Sequence, residues 1–376
     1  MSIKEKINLI SRFTEEVLTP EDLEFLLSKN IPLRHYIGFE ISGKIHLGTG
    51  LVCMQKVKDF KDAGVDVNIL LADYHTWIND KLSGDLENIK KAAVGYFKEG
   101  LRVAYECVGG DPKDLNFILG SDFYHNNDKY WVTLIEVAKN TSLARIKRSI
   151  TIMGRSEGEE VDFAKLLYPA MQVADIFVGG FHFSHSGIDQ RKANVIARDT
   201  AKQLRIAPLK VDNEIIKPVV VHTHLLAGLG KPAVWPVPES FDKSELQTSM
   251  KMSKSKPDTF IFIHDSEDEI KRKIKKAFCP EGEIDFNPII DWIEYLVFPV
   301  KDKIVISRKP EHGGNLAIND IDELKKIFKN KELHPDDLKS FVAEYLIESL
   351  KPARERFSKG EPKKMLEDLE KLIEKS

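Results

Sequence analysis

The stretch Tyr36–Gly50, YIGFEISGKIHLGTG, decides the fold of this chain. Its first residues are apolar and predict the end of a buried strand, which Ser42 and Gly43 then interrupt. An amphipathic segment follows, with apolar residues at three-residue steps as far as Phe60, and Gly64 stops it. The stretch is therefore predicted to turn from a strand into a helix.

His46 and Gly48 lie at this strand-to-helix turn. Backbone N–H groups in the first turn of a helix have no intrahelical partner, and the helix dipole favours negative charge there. A glycine lets a nucleotide approach the backbone, and an imidazole can donate to a phosphate oxygen. Taken alone, the turn is equally consistent with a structural connection that holds a satisfied histidine.

A second stretch, Lys251–Ser255 (KMSKS), lies between Gln247 and Pro257 and has no apolar periodicity, so we predict a loop. Lysines that alternate with small hydroxyl residues suit a flap over a polyphosphate, because lysine supplies point charges and serine supplies neutral donors. Such a run by itself is usually a solvated loop. Its interpretation therefore depends on its pairing with the His46 turn.

Composition excludes several classes of protein. The 376 residues suffice for about two domains, and 56 basic against 59 acidic residues leave a net charge of −3, so any RNA contact must come from local basic patches. The three cysteines, Cys53, Cys107 and Cys279, are widely spaced, which indicates free thiols rather than a disulfide framework or a zinc site. The chain starts with an amphipathic pattern instead of a signal peptide and has no membrane-spanning run, so we expect a cytoplasmic protein.

Strand and helix patterns alternate along the first two thirds of the chain. Val65–Asp73, Leu115–Leu119 and Lys217–Val221 are predicted strands, and Leu86–Val108 has helical periodicity. Polar residues such as His75 follow the first of these strands, at the edge where open α/β sheets hold ligands. The pattern predicts an α/β fold, a Rossmann-like doubly wound parallel sheet with a helical insertion, followed by an α-helical C-terminal domain.

The composition becomes mostly helical near Asp265. We therefore expect a catalytic domain over residues 1–235 and a linker that carries the KMSKS loop over residues 236–265. A helical domain would occupy residues 266–376. Basic residues concentrate in a helical insertion of the first domain at about 120–160, either as a solvated helix face or as an RNA contact.

The predicted helix Phe163–Phe177 is apolar but carries three polar residues on one face, Tyr168, Gln172 and Asp175. Buried polar groups need partners. These residues therefore form either a structural network or a pocket for a polar ligand.

His222 and His224 form an HxH pair after the last predicted strand. Two histidines at this spacing can bind a metal ion, but no third ligand follows at a matching distance in sequence. We therefore expect no metal site formed by the protein alone.

The order of HLGTG and KMSKS resembles the HIGH and KMSKS signatures of class I aminoacyl-tRNA synthetases. Motifs along the whole chain resemble those of the archaeal and eukaryotic tyrosyl-tRNA synthetases: YIGFE–SGKIHLG, LLADYH, YPAMQVADI, GIDQRK, KMSKSKP and ELHPDDLK. Tryptophanyl-tRNA synthetases share the two signatures but would not carry YxxxQxxD together with Tyr36. One departure is Thr49, which stands where the signature has its second histidine, so a hydroxyl serves there or that phosphate contact is weaker.

The resemblance implies a role for each matching residue of an amino-acid pocket. Tyr36 and Asp175 would bind the phenol group of tyrosine. Tyr168, Gln172 and Gln190 would hold its ammonium group.

The resemblance also implies contacts to ATP and to tRNA. His46, Gly48 and Thr49 would meet ATP, and the loop residues over its phosphates would be Lys251, Ser253 and Lys254. The expected catalytic residues are His46, Thr49, Lys251 and Lys254. Expected tRNA contacts are Arg148, Arg191 and Lys192 at the acceptor end and His312, His334 and Asp337 at the anticodon.

The implied activity is the ATP-dependent attachment of L-tyrosine to tRNA(Tyr) through a tyrosyl-adenylate, with Mg²⁺ accompanying ATP and a homodimer as the implied assembly. Such a reaction needs positioning and charge neutralisation rather than a protein nucleophile. The alternatives are a tryptophanyl-tRNA synthetase and a non-catalytic RNA-binding paralogue, although the latter should have lost His46 or the loop lysines. A small-molecule nucleotidyltransferase would need neither the flap nor the helical tail.

Overall fold

The computed structural model describes residues 1–29, 31–238 and 257–375 of the chain. A six-stranded sheet has the order β1-β8-β5-β2-β3-β4. Two short hairpins, β6–β7 and β9–β10, lie outside it. The strands are β1 Thr14–Leu18, β2 Arg34–Phe39, β3 Asp66–Leu71, β4 Asn116–Leu119, β5 Phe183–Gly187, β6 Lys210–Val211, β7 Glu214–Ile215, β8 Val219–Thr223, β9 Ile304–Ile306 and β10 Leu316–Ile318.

The central strands of the sheet are parallel, and only β1 runs antiparallel to its neighbour β8. Strand β2 pairs with β3 on one side and with β5 on the other, so that Tyr36 lies opposite Asn68 and Ser184. The strand order therefore reverses between β2 and β5, and a crevice opens at their carboxyl ends. This arrangement confirms the predicted doubly wound sheet.

Helices connect the strands and form the C-terminal part of the chain. No helix in the described ranges has both the length and the apolar character needed to cross a membrane. The α-helices are Ile3–Ser11, Pro20–Ser28, Cys53–Asp62, Asp73–Ile78, Leu86–Ala92, Lys98–Cys107, Gly120–Tyr124, Asp128–Lys139, Leu143–Ser149, Phe163–Val178, Arg191–Thr200, Glu267–Lys276, Pro288–Trp292, Ile321–Lys329, Pro335–Ser349, Lys351–Phe357 and Gly360–Glu374.

The turn after β2 leads into a helix, as its sequence predicts. A short π-helical segment, Gly48–Val52, runs directly into the helix Cys53–Asp62, whose apolar side chains are buried in the core. Gly64 ends this helix with a φ of 85°, in the left-handed region that glycine adopts without strain.

Two strands of the main sheet are absent from the sequence-based prediction. β5, with the sequence FSHSG, contains no apolar alternation, yet its residues are almost all buried. Its polar side chains find partners inside the protein, because Ser184 donates to Asn194 at 2.9 Å and His185 lies 3.1 Å from His35. β1 is the other strand missed, because its five residues, TEEVL, include two glutamates.

The C-terminal helices pack against the first half of the chain. Arg356 pairs with Glu99 and, at 3.2 Å, with Glu106, both on the helix Lys98–Cys107. The ring of Phe357 lies 5.2 Å from that of Tyr96. One continuous apolar core therefore includes residues from both parts of the chain.

Candidate active site

A cleft of about 350 Å³ opens at the carboxyl ends of β2 and β5, between the His46 turn and the residues that follow β8. A smaller cavity of about 40 Å³ adjoins it and is lined by Tyr36, His75 and Gln172 among others. The two cavities share several lining residues: Gly38, Glu40, Tyr168, Ser186 and Gln190. The fold thus brings the predicted tyrosine and ATP residues of the described chain to one continuous site.

Asp175 forms the polar centre of the smaller cavity's surroundings. The hydroxyl of Tyr36 donates to its Oδ2 at 3.3 Å, and the hydroxyl of Tyr124 donates to its Oδ1 at 3.1 Å. His75 Nε2 lies 3.7 Å from Oδ2. Asp175, Tyr124 and Tyr36 are all buried, so these hydrogen bonds form in a low-dielectric environment where they are strong.

Burial changes the ionisation of this cluster. It raises the pKa of Asp175 to about 7, although hydrogen bonds from tyrosine hydroxyls, Tyr124 first among them, act in the opposite direction. Burial lowers the pKa of His75 to about 3, so its imidazole is neutral near pH 7. Burial, with the charge of Asp175, raises the pKa of both Tyr36 and Tyr124, so both remain donors.

Tyr168, Gln172 and Gln190 also line the smaller cavity. The Tyr168 hydroxyl lies 3.5 Å from Glu40 Oε1, which also accepts from the amide of Asn79 at 2.7 Å. Gln190 donates from Nε2 to the carbonyl of Ile152 at 2.9 Å. These contacts hold several hydrogen-bonding side chains around one small space.

The imidazole of His46 organises the turn before the helix. Its Nδ1 accepts from the backbone N–H groups of Gly48 at 3.2 Å and Thr49 at 3.5 Å. Two N–H groups that we expected to lack a partner therefore face the ring. Because Nδ1 is an acceptor, the proton of the neutral ring lies on Nε2, which is 3.4 Å from the Thr49 hydroxyl. The hydroxyl in place of the signature's second histidine thus lies beside His46.

The chain after the KMSKS loop returns to this turn. Leu47 donates from its backbone to Ile261 at 3.1 Å, and Ile263 donates to Ile45 at the same distance. The loop residues themselves, Lys251, Ser253 and Lys254, lie outside the described residues. The residues that follow the loop, Ile261 and Ile263, are therefore hydrogen-bonded to the turn that carries His46.

Two of the three residues predicted at the tRNA acceptor end lie together. Lys192 donates to the backbone carbonyl of Arg148 at 2.9 Å and pairs with Glu157 at 3.2 Å. Arg191 instead forms a bidentate ion pair with Glu16 of β1, and the shortest nitrogen–oxygen distance is 2.8 Å.

The residues predicted at the anticodon lie in the C-terminal part of the chain. His334 is the N-cap of the helix Pro335–Ser349, and its Nδ1 accepts from the backbone of Asp336 at 3.2 Å. Asp337 lies in the first turn of the same helix, and His312 ends a short 3₁₀ turn. Sequence reasoning did not anticipate the capping role of His334.

Tyr124 is the principal site residue that sequence reasoning missed. It ends a short helix that directly follows β4, at the same sheet edge as β2 and β3. That position was the available signal, because the carboxyl ends of parallel strands meet at one edge. Glu40, which follows β2, was missed in the same way.

The doubly wound sheet and the His46–Gly48 turn at its switch point are the arrangement that the resemblance to class I aminoacyl-tRNA synthetases implies. The chain matches the family described as class I tRNA synthetases (W and Y) over residues 28–351. The tyrosine–tRNA ligase of Thermococcus sibiricus is 52% identical over 373 residues, 98% of this chain and 99% of that protein. That of Thermococcus kodakarensis is 53% identical over 372 residues, again 98% and 99%.

A crystal structure of tyrosyl-tRNA synthetase complexed with L-tyrosine, from Pyrococcus horikoshii, matches with a TM-score of 0.94 and 49% identity. The match covers 100% of both chains. The chain therefore belongs to the tyrosine–tRNA ligase family. The tryptophan-specific alternative is not favoured by these relatives.

Proposed function

We propose that this chain catalyses the ATP-dependent attachment of L-tyrosine to tRNA(Tyr) through a tyrosyl-adenylate intermediate. The observation that carries this proposal is the position of Asp175, which accepts from Tyr36 and Tyr124 beside a cleft at the switch point of the sheet. A phenol hydroxyl that enters this cluster finds both an acceptor and a donor.

The pocket would recognise tyrosine at both ends. Asp175 and Tyr36 would bind the phenol group, which phenylalanine lacks. Gln190 uses its amide N–H to bond Ile152, which leaves Oε1 as an acceptor for the substrate ammonium group. Tyr168 and Gln172, on the same helix as Asp175, line the same cavity and would complete that contact.

ATP would occupy the larger cleft beside the His46 turn. His46 has its proton on Nε2, where it can donate to a phosphate oxygen, and Gly48 leaves the backbone accessible. Thr49 would orient the ring through its hydroxyl. Lys251, Ser253 and Lys254 would close over the phosphates from the loop whose downstream end lies beside this turn.

Mg²⁺ would enter with ATP. This ion is usually held by substrate phosphates and one or two carboxylates, and the cleft is lined by the carboxylates of Glu40 and Asp189. Mg²⁺ would supply neutralisation of phosphate charge.

The reaction would proceed in two steps. The carboxylate of tyrosine attacks the α-phosphate of ATP in line and releases pyrophosphate. A ribose hydroxyl of the terminal tRNA adenosine, the 2′-hydroxyl by class resemblance, then takes the tyrosyl group and releases AMP. Both steps depend on positioning and on charge stabilisation by His46 and the loop lysines.

tRNA would contact two separate regions. Arg148 and Lys192, which lie together and are exposed, would bind the acceptor end. Arg191, which pairs with Glu16 of β1, would contribute beside them. His312, His334 and Asp337 would approach the anticodon from the C-terminal part. The division into residues 1–235, 236–265 and 266–376 stays a prediction.

We also propose a homodimer located in the cytoplasm, where tRNA is charged. The helix Asp128–Lys139 exposes Trp131, Val132 and Ile135, which are 42 to 56% accessible, on one face. Exposed apolar groups of this size mark contact surfaces. Sedimentation analysis of Ile135→Glu, with Lys91→Glu at an exposed site on another helix as the control, should show dissociation in the first variant only.

The experiment that tests the proposed function is pyrophosphate–ATP exchange with each of the twenty amino acids, without tRNA. We expect exchange with tyrosine and little with phenylalanine or tryptophan. Charging of tRNA(Tyr) should then follow with the purified chain. Exchange driven by another amino acid would overturn the proposal.

A further inference from the structure

His222, in β8, and His224, directly after β8, contact two consecutive glutamates of the edge strand β1. His222 Nδ1 lies 3.0 Å from Glu16 Oε2, and His224 Nδ1 contacts Glu15 Oε1. The antiparallel register produces this pairing, because Glu16 lies opposite His222. Both histidines therefore bind carboxylates rather than each other.

The two imidazoles differ in charge. Nε2 of His222 faces the amide nitrogen of Asn194 at 3.1 Å, so it accepts and the ring is neutral. Nε2 of His224 instead lies 2.6 Å from Asp291 Oδ1. A ring with a carboxylate at each nitrogen donates from both and is an imidazolium. Burial lowers the pKa of His224, but the bonds to Asp291 and Glu15 outweigh it and raise the pKa to about 9.

The second carboxylate comes from the C-terminal part of the chain, which also covers the ring. Tyr295 stacks on His224 with centroids 3.8 Å apart and an angle of 8°, a geometry that favours a cation. Asp291 accepts from the backbone of Ala227 at 3.0 Å, and Trp292 donates to the carbonyl of Ala227 at 2.8 Å. The segment after β8 is thus bonded to the C-terminal region through both the N–H and the carbonyl of Ala227.

The same segment, residues 223–226, forms one wall of the larger cleft. We propose that His224, clamped as a cation between Glu15 and Asp291, is a positioning residue that holds this wall for ATP. The inference rests on the proposed ATP site. His224 acts through the wall rather than by contact with ATP, because a carboxylate engages each of its ring nitrogens.

A neutral side chain at this position would leave two carboxylates without their cation, the half-buried one of Asp291 and the more exposed one of Glu15. The wall would then move away from its place, and in-line attack is sensitive to displacements of this kind. We expect His224→Gln to lower kcat/KM for ATP in the exchange reaction by roughly ten- to a hundredfold, since a displacement of about 1 Å has effects of that size. The KM for tyrosine should not change.

A combined variant separates charge from packing. Glu15→Gln and Asp291→Asn, added to His224→Gln, remove both unpaired charges, while the amide at 291 keeps an oxygen for the N–H of Ala227. We expect this triple variant to recover most of the lost activity. His222→Gln is the matched control, because it replaces a neutral ring two residues before His224, and it should keep the kcat/KM for ATP.

Each outcome decides the inference. An unchanged kcat/KM for ATP in His224→Gln overturns the clamp, and so does a triple variant that is folded by circular dichroism but recovers no activity. In both cases exchange by the wild type still upholds the proposed function. If His224→Gln alone does not fold, a folded and active triple variant supports the clamp and an unfolded one overturns it. Absence of tyrosine-dependent exchange in the wild type refutes the proposed function itself, and the inference with it.

Discussion

The hydroxyl of Tyr124 donates a hydrogen bond to Oδ1 of Asp175 at 3.1 Å. This bond is made by the protein alone, so one oxygen of the carboxylate is fixed before any substrate arrives. The other oxygen, Oδ2, accepts from Tyr36 and remains the one that a substrate phenol can share. Tyr124 therefore orients Asp175 and opposes the rise that burial causes in its pKa.

Tyrosine binding should weaken as the pH falls through about 7. The pKa of Asp175 is raised by burial to about 7, and only its ionised form is a full acceptor for the phenol. The stability of the fold changes with pH in the opposite direction from tyrosine binding. Between pH 3.8 and about 7 the folded state binds more protons at Asp175 than the unfolded state does, so the free energy of unfolding falls as the pH rises through that window. Calorimetric titration of tyrosine from about pH 5.5 to 8.5 measures the binding midpoint.

Tyr124→Phe tests the cause of that midpoint. The variant loses a donor that lowers the pKa of Asp175, so the midpoint should move to higher pH. Tyr74→Phe is the control, because its ring lies beside Tyr124 at 5.4 Å while its hydroxyl is not among the donors to Asp175. Equal midpoints in Tyr124→Phe and the wild type would contradict this role.

Selection against phenylalanine should depend on Asp175 more than on Tyr36. Phenylalanine leaves both polar groups without the substrate hydroxyl, and an unsatisfied buried group costs about 1–3 kcal/mol, more when charged. We expect the tyrosine-to-phenylalanine ratio of kcat/KM in exchange to collapse in Asp175→Ala, mainly through lost tyrosine activity. It should fall less in Tyr36→Phe. If the tyrosine-to-phenylalanine ratio is unchanged in both variants and both are folded, the assignment of this pocket is wrong.

The parts of the fold that sequence alone predicts are those where local pattern and burial agree. β3, DVNILL, is buried from its second residue onward, ends in three consecutive apolar residues and lies between two other strands, so its sequence identifies it. The turn at His46 is equally clear, because an apolar strand, a glycine-containing break and an amphipathic helix follow one another. Here local preference and tertiary packing favour the same structure.

β5 could not be predicted from an apolar pattern, because its buried side chains are polar and are satisfied by hydrogen bonds to other elements of the fold. Ser184 and His185 are buried only because Asn194 and His35 reach them from other elements. Such partners are distant in sequence and leave no periodic signal. Tyr124 lies 51 residues from Asp175, so no spacing rule links the two, and only its place after β4 could have indicated it. The face of the helix that carries Asp175, by contrast, follows from helical periodicity.

Replacing either loop lysine should slow activation. In Lys251→Ala and Lys254→Ala, a lost charge contact to the phosphates in the transition state should cost about 2–4 kcal/mol, or two to three decades in the rate of adenylate formation. Tyrosine binding should stay nearly intact, because Tyr36 lines the other cavity and Asp175 is bonded to Tyr36 there. Rapid-quench measurement of tyrosyl-adenylate checks the rate. Wild-type rates in both variants would show that the loop is not the flap.

Arg148→Ala should weaken tRNA charging without slowing pyrophosphate exchange. The protein has a net charge of −3, so its phosphate contacts depend on local cations such as Arg148 and Lys192. Loss of one phosphate contact should reduce the slope of log affinity against log salt by about one. Arg198→Ala is not a suitable control, because the Arg198 side chain bonds Asp22. Lys202 is exposed and serves as the control, and Lys202→Ala should leave the slope unchanged.

His334 caps a helix and is proposed to contact the anticodon, and two substitutions distinguish the cap from the proposed contact. Its ring caps the helix Pro335–Ser349, so His334→Ala should lose the cap at a cost of about 0.5–2 kcal/mol in the free energy of unfolding. Asparagine also caps helices, so His334→Asn should keep the unfolding midpoint while it removes the imidazole. If the imidazole reads the anticodon, both variants should lose the preference for tRNA(Tyr) over an anticodon-swapped tRNA, measured as the ratio of kcat/KM in charging. Exchange without tRNA should not change in either. Retention of the wild-type preference in His334→Asn would show that this residue serves the helix and not the anticodon.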